Sequence, residues 1–415
     1  MTAIKFNSEL EFANYIKNLE GTLYITGGYV RDKFLNRKSN DRDYVITGVD
    51  FKNIPFEKVV GTSFPVFIIN INNEACEVAL ARKEFKHGTG HTGFYFYTNK
   101  VTIEEDLFRR DLTINAIAIN ILTEEIIDPY NGISDIKNKT LRNVSNYFKD
   151  DYLRIFRACR FASQLNFNIS DSLFKLLLSM TNDNELNEIS YERVWKETEK
   201  ALLSNSPDKF FRHLNDINLL KKFMPEVAAL NVKDMHDGTS LNHTLNLLYH
   251  GNNTIEDKLS ILCHDFGKGV TDNNMHPKHH GHDKLGIIEI ENFCNRLKIP
   301  TKLKNLTIKS SQFHMVIKRM YEMRIGKCFR FLHNLNKDFI HVSRISFIDS
   351  AFREGGDIEE AMQGHKERCV YFKHYLQTIN DVTGKALIAE GYKGTGKIFG
   401  ETLFNKRVNY FKTLI

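Results

Sequence analysis

Apolar residues in roughly the first 130 positions come in short runs: Leu23-Tyr24-Ile25, Tyr44-Val45-Ile46, Val66-Phe67-Ile68-Ile69 and Glu77-Val78-Ala79-Leu80. Runs of that length, rich in β-branched and aromatic residues, predict strands. The strongest alternation, Thr113-Ile-Asn-Ala-Ile-Ala-Ile-Asn-Ile121, predicts another. From about residue 150 the spacing becomes helical and stays so. Arg154, Arg157 and Arg160 recur three apart near one helix face, with Leu153, Phe156 and Phe161 among them. Ser190, before Tyr191-Glu-Arg-Val-Trp195, predicts a helix N-cap, and the helical spacing of the sole Trp places it in a core. Gly88-Thr-Gly-His-Thr-Gly93 predicts a loop between strands. Strands followed by helices predict an α+β chain.

The most informative stretch combines these periods. Leu23-Tyr24-Ile25 leads into Gly27-Gly28-Tyr29-Val30-Arg31-Asp32 and then Asp41-Arg42-Asp43-Tyr44-Val45-Ile46. This predicts strand, glycine turn, short helix and second strand. Side chains two apart on a strand share a face, so Asp41 and Asp43 converge where a divalent ion can be shared. A glycine turn at a helix start favours phosphate. Together they point to metal-assisted nucleotidyl transfer, with Mg²⁺ on few carboxylates plus substrate phosphates. Standing alone, an Asp-x-Asp pair is more often a solvated turn; the preceding glycines and following apolar strand change that balance.

Composition narrows the class. A chain of 415 residues implies several domains, and 42% hydrophobic residues fit a folded protein. A net charge of +6 suits a polyanionic partner. Six scattered cysteines without a C-x-x-C pair, a polar N-terminus and no apolar run near the ~18 residues of a membrane span predict reduced thiols, no membrane and a cytoplasmic location.

Further polar groups supply substrate recognition. Arg110 offers a guanidinium for phosphate and Asp111 a carboxylate for a ribose hydroxyl; the plainer reading of this run is a solvated helix end. Asp151 and Arg154, three apart on an expected helix, pair an acceptor with a donor. Cytosine and adenine both present an amine donor beside a ring acceptor, whereas guanine and uracil present the opposite polarity. One Asp/Arg pair therefore accepts C and A and leaves G and U with unpaired polar groups. An ordinary surface ion pair is the common alternative for such spacing.

These blocks resemble the class II tRNA nucleotidyltransferases, the CCA-adding enzymes, of the bacterial multifunctional type with an appended HD domain. The matching runs are GGYVRD at 27–32, DRDYVITG at 41–48, FPVF at 64–67, HTGFYFYTN at 91–99 and EEDLFRRDLTINAIA at 104–118. IIDPYNG at 126–132, DDYLRIFRACRFA at 150–162, YERVWKETEKAL at 191–202, LCHDFGKG at 262–269 and HHGH at 279–282 continue in order. The resemblance implies an α+β fold: a nucleotidyltransferase head with a mixed sheet at 1–140, a helical neck and body at 141–230, an all-α HD domain at 231–338 and a helical C-terminal region at 339–415. It implies Gly28 and Arg31 on the triphosphate, and Asp41 and Asp43 on Mg²⁺ as the catalytic pair. It also implies Arg110 and Asp111 on the nucleotide, Asp151 and Arg154 templating the base, and Arg157 and Arg160 behind them. Glu77 is a nominee for a third carboxylate. Implied partners are the acceptor end of tRNA, held by shape and backbone along a basic groove, with ATP and CTP. Asp150 replaces the family's Glu and Tyr29 its Ala; neither removes a catalytic group. A poly(A) polymerase of the same superfamily is the nearest rival, disfavoured because Val60–Phe67 lacks a basic Gly-Arg-Arg-Phe-type run. An HD phosphohydrolase whose head merely binds RNA is a second.

His243, His264-Asp265, His282 and His314 have the order of an HD metal site, suited to a second divalent ion that activates water against a phosphoester. In the resembling enzymes this domain hydrolyses 2′,3′-cyclic phosphates, 2′-nucleotides and phosphomonoesters. Here the family's later aspartate ligand falls, without gaps, at Ala351. Asp349 two residues earlier would point about 200° away on a helix, unless a gap restores it, and Met315 stands where an acid is expected after His314. The expectation is a weakened or lost phosphohydrolase activity. Gly391-Tyr-Lys-Gly-Thr-Gly-Lys397 spells most of a P-loop, but Ile398 replaces its Ser/Thr, so a helix-joining turn is expected.

Overall fold

The structure is a computed structural model and describes residues 5–39, 42–50, 59–60, 66–87, 94–235 and 237–415. Asp41 and the glycine-rich run 88–93 lie outside the described residues. The chain is an α+β protein that divides into two compact units, Met1–Ala201 and Leu202–Ile415.

The N-terminal unit is built on a mixed sheet. Its strands are β1 (Lys5–Phe6), β2 (Thr22–Thr26), β3 (Asp43–Thr47), β4 (Val59–Val60), β5 (Val66–Ile71), β6 (Glu74–Leu80), β9 (Ala118–Asn120) and β10 (Ile126–Ile127). The order is β1-β5-β6-β3-β2-β9-β10, with β4 on β5. β3 runs parallel to β6 and antiparallel to β2. A separate hairpin joins β7 (Lys83–Lys86) to β8 (Phe94–Tyr97). Alternation along β3 serves two buried faces. Val45 packs into a cluster with Ala81, Val101, Ile103, Leu107, Ala116 and Ala118. Tyr44 meets Phe12 of α1 (Glu9–Asn18) edge-on at 6.4 Å. α2 (Gly28–Phe34) follows the glycine turn as expected. α3 (Ile103–Phe108) starts at a capping box, Thr102 with Glu105, which satisfies two end groups reciprocally. α4 (Gly132–Lys137), α5 (Leu153–Leu165), α6 (Asp171–Met180) and α7 (Tyr191–Leu202) complete the unit, with β11 (Thr140–Leu141) and β12 (Asn168–Ile169) paired in parallel. Trp195 is buried, as its spacing predicted.

The expected strand over 113–121 is shorter. Thr113–Asn115 is a 3-10 turn and only Ala118–Asn120 is strand. The polar residues of that alternation are pinned instead of paired in a ladder. Thr113 Oγ1 donates to Asp135 at 2.5 Å, and the Asn115 side chain takes a hydrogen bond from Arg31.

The C-terminal unit is helical: α8 (Pro207–Asp216), α9 (Leu220–Phe223), α10 (Pro225–Ala229), α11 (Ser240–Leu247), α12 (Ile255–Cys263), α13 (His282–Arg296), α14 (Thr301–Phe313), α15 (Ile325–Leu335), α16 (Phe339–Ala351), α17 (Ile358–Asp381), α18 (Gly384–Ala389) and α19 (Gly396–Leu414). A core around Phe329, Leu332, Phe339, Phe372, Tyr375 and Phe411 ties α15, α16, α17 and α19. The P-loop-like run is the turn between α18 and α19, with Gly391 and Gly396 at positive φ. No helix among the described residues is long and apolar enough to cross a membrane.

Candidate functional site

In the N-terminal unit the glycine turn, β3 and the residues after α3 meet. Gly27 has φ +73°. A Cβ there would stand 3.3 Å from Arg110 Nη1 and 3.4 Å from Asp43 Oδ2. The turn therefore needs glycine both for its backbone and for the approach of an acid and a guanidinium. Gly28 opens α2, with Arg31 Nη2 3.6 Å from where its Cβ would be. The parallel register sets Asp43 of β3 beside Glu77 of β6, and neighbours in register share a face. Glu77 is exposed and Asp43 partly so. Two carboxylates on one sheet face, beside a guanidinium, form an oxygen-donor set of the kind a hard divalent ion takes.

Arg110 is held over this corner: Nη2 donates to Thr26 Oγ1 at 2.9 Å and to Asp106 at 3.1 Å, and Nη1 to the Asn115 carbonyl. Asp106 is fully buried and also takes Arg109. Burial by itself raises its pKa, but the Arg109 and Arg110 charges outweigh burial and bring it down to about 2. Arg31 is buried and donates to Asn115 and Asp32 at 2.8 and 3.0 Å. Asp111 is committed within the protein: Oδ2 takes Arg157 Nε at 2.7 Å, and Oδ1 takes the Leu112 N–H. Burial pushes its pKa up; Arg157 and Arg154 more than reverse that and hold it well below the carboxylate range. Arg160 pairs with Glu197 and lies 3.9 Å from the centre of the Phe161 ring, which also has Arg31 and Arg157 at 5.2 and 5.6 Å.

Asp151 and Arg154 are not helix neighbours paired with each other. Asp151 is extended, just before α5, and its Oδ1 accepts the Leu153 N–H. Its Oδ2 pairs with Arg193 of α7 at 2.7 Å. Arg154 donates to the carbonyls of Tyr147 and Arg109 at 2.6 and 2.9 Å. The helix starts only at Leu153, after its N-cap Tyr152, which leaves Asp151 outside it.

The second cluster lies in the C-terminal unit. Among the described residues, His243, His264 and Asp349 form one group of convergent ligand atoms, and Asp265, His282 and His314 another. Asp349 Oδ1 is 3.2 Å from His243 Nε2 and 3.8 Å from His264 Nε2. Asp265 reaches His264, His282 and His314 at 3.2, 3.3 and 3.7 Å. The expectation that Asp349 points away is corrected: α16 turns Asp349 into the cluster, and the helix lies beyond the boundary expected at 338. Ungapped alignment with the family motif had put the candidate position at Ala351, two residues on. Met315 is exposed and stands outside the ligand groups.

The tautomers follow from the partners. His264, His282 and His314 each place Nδ1 2.7–2.9 Å from a backbone carbonyl, which can only accept. His243 places Nδ1 on the Asp237 carboxylate at 2.8 Å. Every Nδ1 therefore donates, and each Nε2 is turned toward Asp265 and Asp349, the usual orientation of metal-binding histidine. Both carboxylates are held well below their ordinary range: burial raises them, but His264 and Lys268 outweigh it at Asp265, and Lys318 and His243 at Asp349. His264 Nε2 is buried without a hydrogen bond, and Asp265 Oδ2, which pairs with Lys268 at 2.7 Å, lies 3.2 Å from that nitrogen. A divalent cation among these nitrogens and oxygens would satisfy the orphaned nitrogen, so the donor set fits a metal.

The remaining histidines of the 279–282 run differ. His279 is buried between Thr271 and the Lys233 carbonyl and serves structure. Asp106, Asn115, Arg193, Glu197 and Asp237 were not singled out by sequence reasoning. Arg193 and Glu197 stand within the matched run 191–202, the signal that could have drawn attention to them.

Residues 23–142 match the poly A polymerase head domain, and 166–230 the probable RNA and SrmB-binding site of polymerase A. The multifunctional CCA protein of Mannheimia succiniciproducens is 35% identical over 398 residues, 90% of this chain and 93% of that one. Among solved structures, the Bacillus stearothermophilus CCA-adding enzyme in complex with CTP superposes with a TM-score of 0.68 at 22% identity, covering 96% of this chain and 92% of its own. The Thermotoga maritima CCA-adding enzyme complexed with tRNA gives 0.63 at 20%, covering 97% and 92%. At those identities the likeness is one of fold.

Proposed function

The chain belongs to the family of multifunctional CCA proteins, the CCA-adding tRNA nucleotidyltransferases, and on that premise we propose how its residues divide the work. The substrates are a tRNA with an incomplete 3′ end, CTP and ATP. The tRNA 3′ oxygen bonds to the α-phosphorus, the bond to the bridging oxygen of the β-phosphate breaks, and pyrophosphate leaves. Asp41 and Asp43, with Glu77 as third carboxylate, would hold Mg²⁺, which would supply positive charge at the attacking hydroxyl and the departing pyrophosphate. Arg110, anchored by Thr26 and Asp106, faces the triphosphate across Gly27 and Gly28. Arg31, Arg157 and Arg160 are largely committed to protein partners. They build the wall behind the nucleotide, and Asp111 orients Arg157 instead of a ribose.

Asp151 accepts from the base amine and Arg154 donates to the ring acceptor, so C and A fit and G and U do not. The observation that carries the transferase reading is the convergence of Asp43 and Arg110 on Gly27. Incubation with tRNA lacking its CCA end and each labelled NTP tests it. Addition of C, C and A is expected; long A tails without C would overturn it in favour of a poly(A) polymerase.

The second cluster is a phosphohydrolase centre in which His243, His264, Asp265, His282, His314 and Asp349 hold divalent metal. Water adds to phosphorus and one ester bond of a 2′,3′-cyclic phosphate opens, leaving a monoester and a free hydroxyl. Asp349, within reach of His243 and His264, supports metal binding here, although Met315 still stands where the family has an acid. Metal-dependent hydrolysis of 2′,3′-cyclic AMP, abolished by His264→Ala, is expected; its absence from metal-loaded protein would overturn the reading. Six unbridged cysteines, five of them buried, fit the reducing cytoplasm.

A further inference from the structure

We propose that Arg319, Arg324, Lys327 and Arg330 form a docking surface for the phosphate backbone of an RNA whose 3′ end reacts at the histidine–aspartate cluster. The inference rests on the phosphohydrolase reading of that cluster and names its substrate class.

Between 324 and 337 the sequence carries Arg324, Lys327, Arg330 and Lys337 and no acid. α15 turns Cys328, Phe329, Phe331, Leu332 and Leu335 into the core, which leaves Lys327 and Arg330 exposed on the other side. Arg319, Arg324 and Lys327 line one groove of about 570 Å³, with Glu322 as its single acid. Neighbouring lysines are neutralised: Lys309 pairs with Asp338 and Lys318 with Asp349. Among the described residues, Arg319, Arg324, Lys327 and Arg330 have no carboxylate within ion-pair distance. Arg330 lies 4.7 Å over the ring of Phe404, in an adjoining groove of about 380 Å³ that Arg407 and His333 also line. Phe404 itself is partly buried against the core, so this guanidinium is braced by an aromatic ring while its charge stays at the surface, where it can meet phosphate.

The surface adjoins the cluster along the chain. The stretch Val316–Glu322 follows His314, and Lys318 on it reaches Asp349 at 2.7 Å. Lys318 is 23% exposed, whereas the cluster's own side chains are 1–12% exposed, so this stretch carries the chain from the buried cluster to the surface. Arg319 is the next residue. Six residues of helix, from Arg324 to Arg330, extend about 9 Å, more than one phosphate spans. A mononucleotide would engage one such cation; a chain of phosphates engages them all.

The test compares 2′,3′-cyclic AMP with a short RNA ending in a 2′,3′-cyclic phosphate, using full-length protein and the R324A/K327A/R330A variant. These side chains are exposed and stand outside both ligand groups of the cluster. The variant should hydrolyse cyclic AMP as the parent does. On RNA, kcat/KM should fall at low salt and depend less on salt. Three lost phosphate contacts remove a log–log slope of about 2, roughly a twentyfold smaller loss between 50 and 200 mM salt. An unchanged kcat/KM on RNA would overturn the proposal. So would a parallel loss on both substrates, which would make the surface part of the cluster's own scaffold. A variant defective only in CCA addition would assign the surface to tRNA held for nucleotidyl transfer and would also overturn it. If the parent hydrolyses neither substrate, the phosphohydrolase reading fails first.

Discussion

Asp106→Asn removes the charge of one buried carboxylate while keeping its shape. Asp106 sits at 0% exposure on α3, with Oδ1 accepting from Arg109 and the Arg82 N–H and Oδ2 from Arg110. Burial works against the ionised form, the two guanidiniums win, and the pKa falls from 3.8 to about 2. A shift of nearly two pKa units corresponds to about 2.5 kcal/mol favouring the folded state. The folded pKa lies below the unfolded one, so this stability is present above pH 3.8 and is lost as pH falls through about 2. Asparagine resembles the protonated acid at every pH. The gap between parent and variant should therefore be about 2.5 kcal/mol at pH 7, about 1.3 kcal/mol at pH 3 and about 0.4 kcal/mol at pH 2. The sole tryptophan, Trp195, is buried in the N-terminal unit that holds Asp106. Its fluorescence in urea reads that unit. With a slope of about 2 kcal/mol per molar, the midpoint should drop by about 1 M at pH 7. Freed from Asp106, Arg110 should also hold triphosphate less firmly, raising KM for CTP and ATP together. A stability gap independent of pH between 7 and 3 would refute the assignment of that energy to the carboxylate charge.

Asp43→Ala should lower C and A incorporation alike by at least about 100-fold in primer extension, with cyclic AMP hydrolysis unchanged; loss of A addition alone would contradict a shared metal site. Arg193→Ala should release Asp151 and cost about 1–2 kcal/mol of orientation, narrowing the preference for CTP and ATP over GTP and UTP by roughly 5- to 30-fold in kcat/KM. An unchanged ratio would mean Arg193 has no part in base choice. Asp349→Ala should reduce both the divalent metal retained per chain, read by elemental analysis, and the hydrolysis of 2′,3′-cyclic AMP, while CCA addition persists; full metal retention would remove Asp349 from the ligand set.

Some of the candidate chemistry was legible because it is local. A glycine turn, an acid at a strand start and a His-Asp dyad after an apolar helix are each written in a few consecutive residues. The runs around 24, 45, 68 and 78 became strands β2, β3, β5 and β6 because a period of two suffices to recognise them. The run at 113–121 misled for the converse reason: its polar positions are held by Asp135 and Arg31, which no local period reveals. Asp151 misled similarly, since its extended backbone before α5 and its partner Arg193, 42 positions on, belong to the packed unit.

The sequence alone therefore determined the chemical inventory, the order of strands before helices and the family. Tertiary structure decided which groups act together. Parallel pairing of β3 with β6 set Glu77 beside Asp43, and α16 carried Asp349 to His243 across 106 positions. Helix and strand periods say which face a residue occupies, but only the packing of distant elements over a shared core says what that face meets.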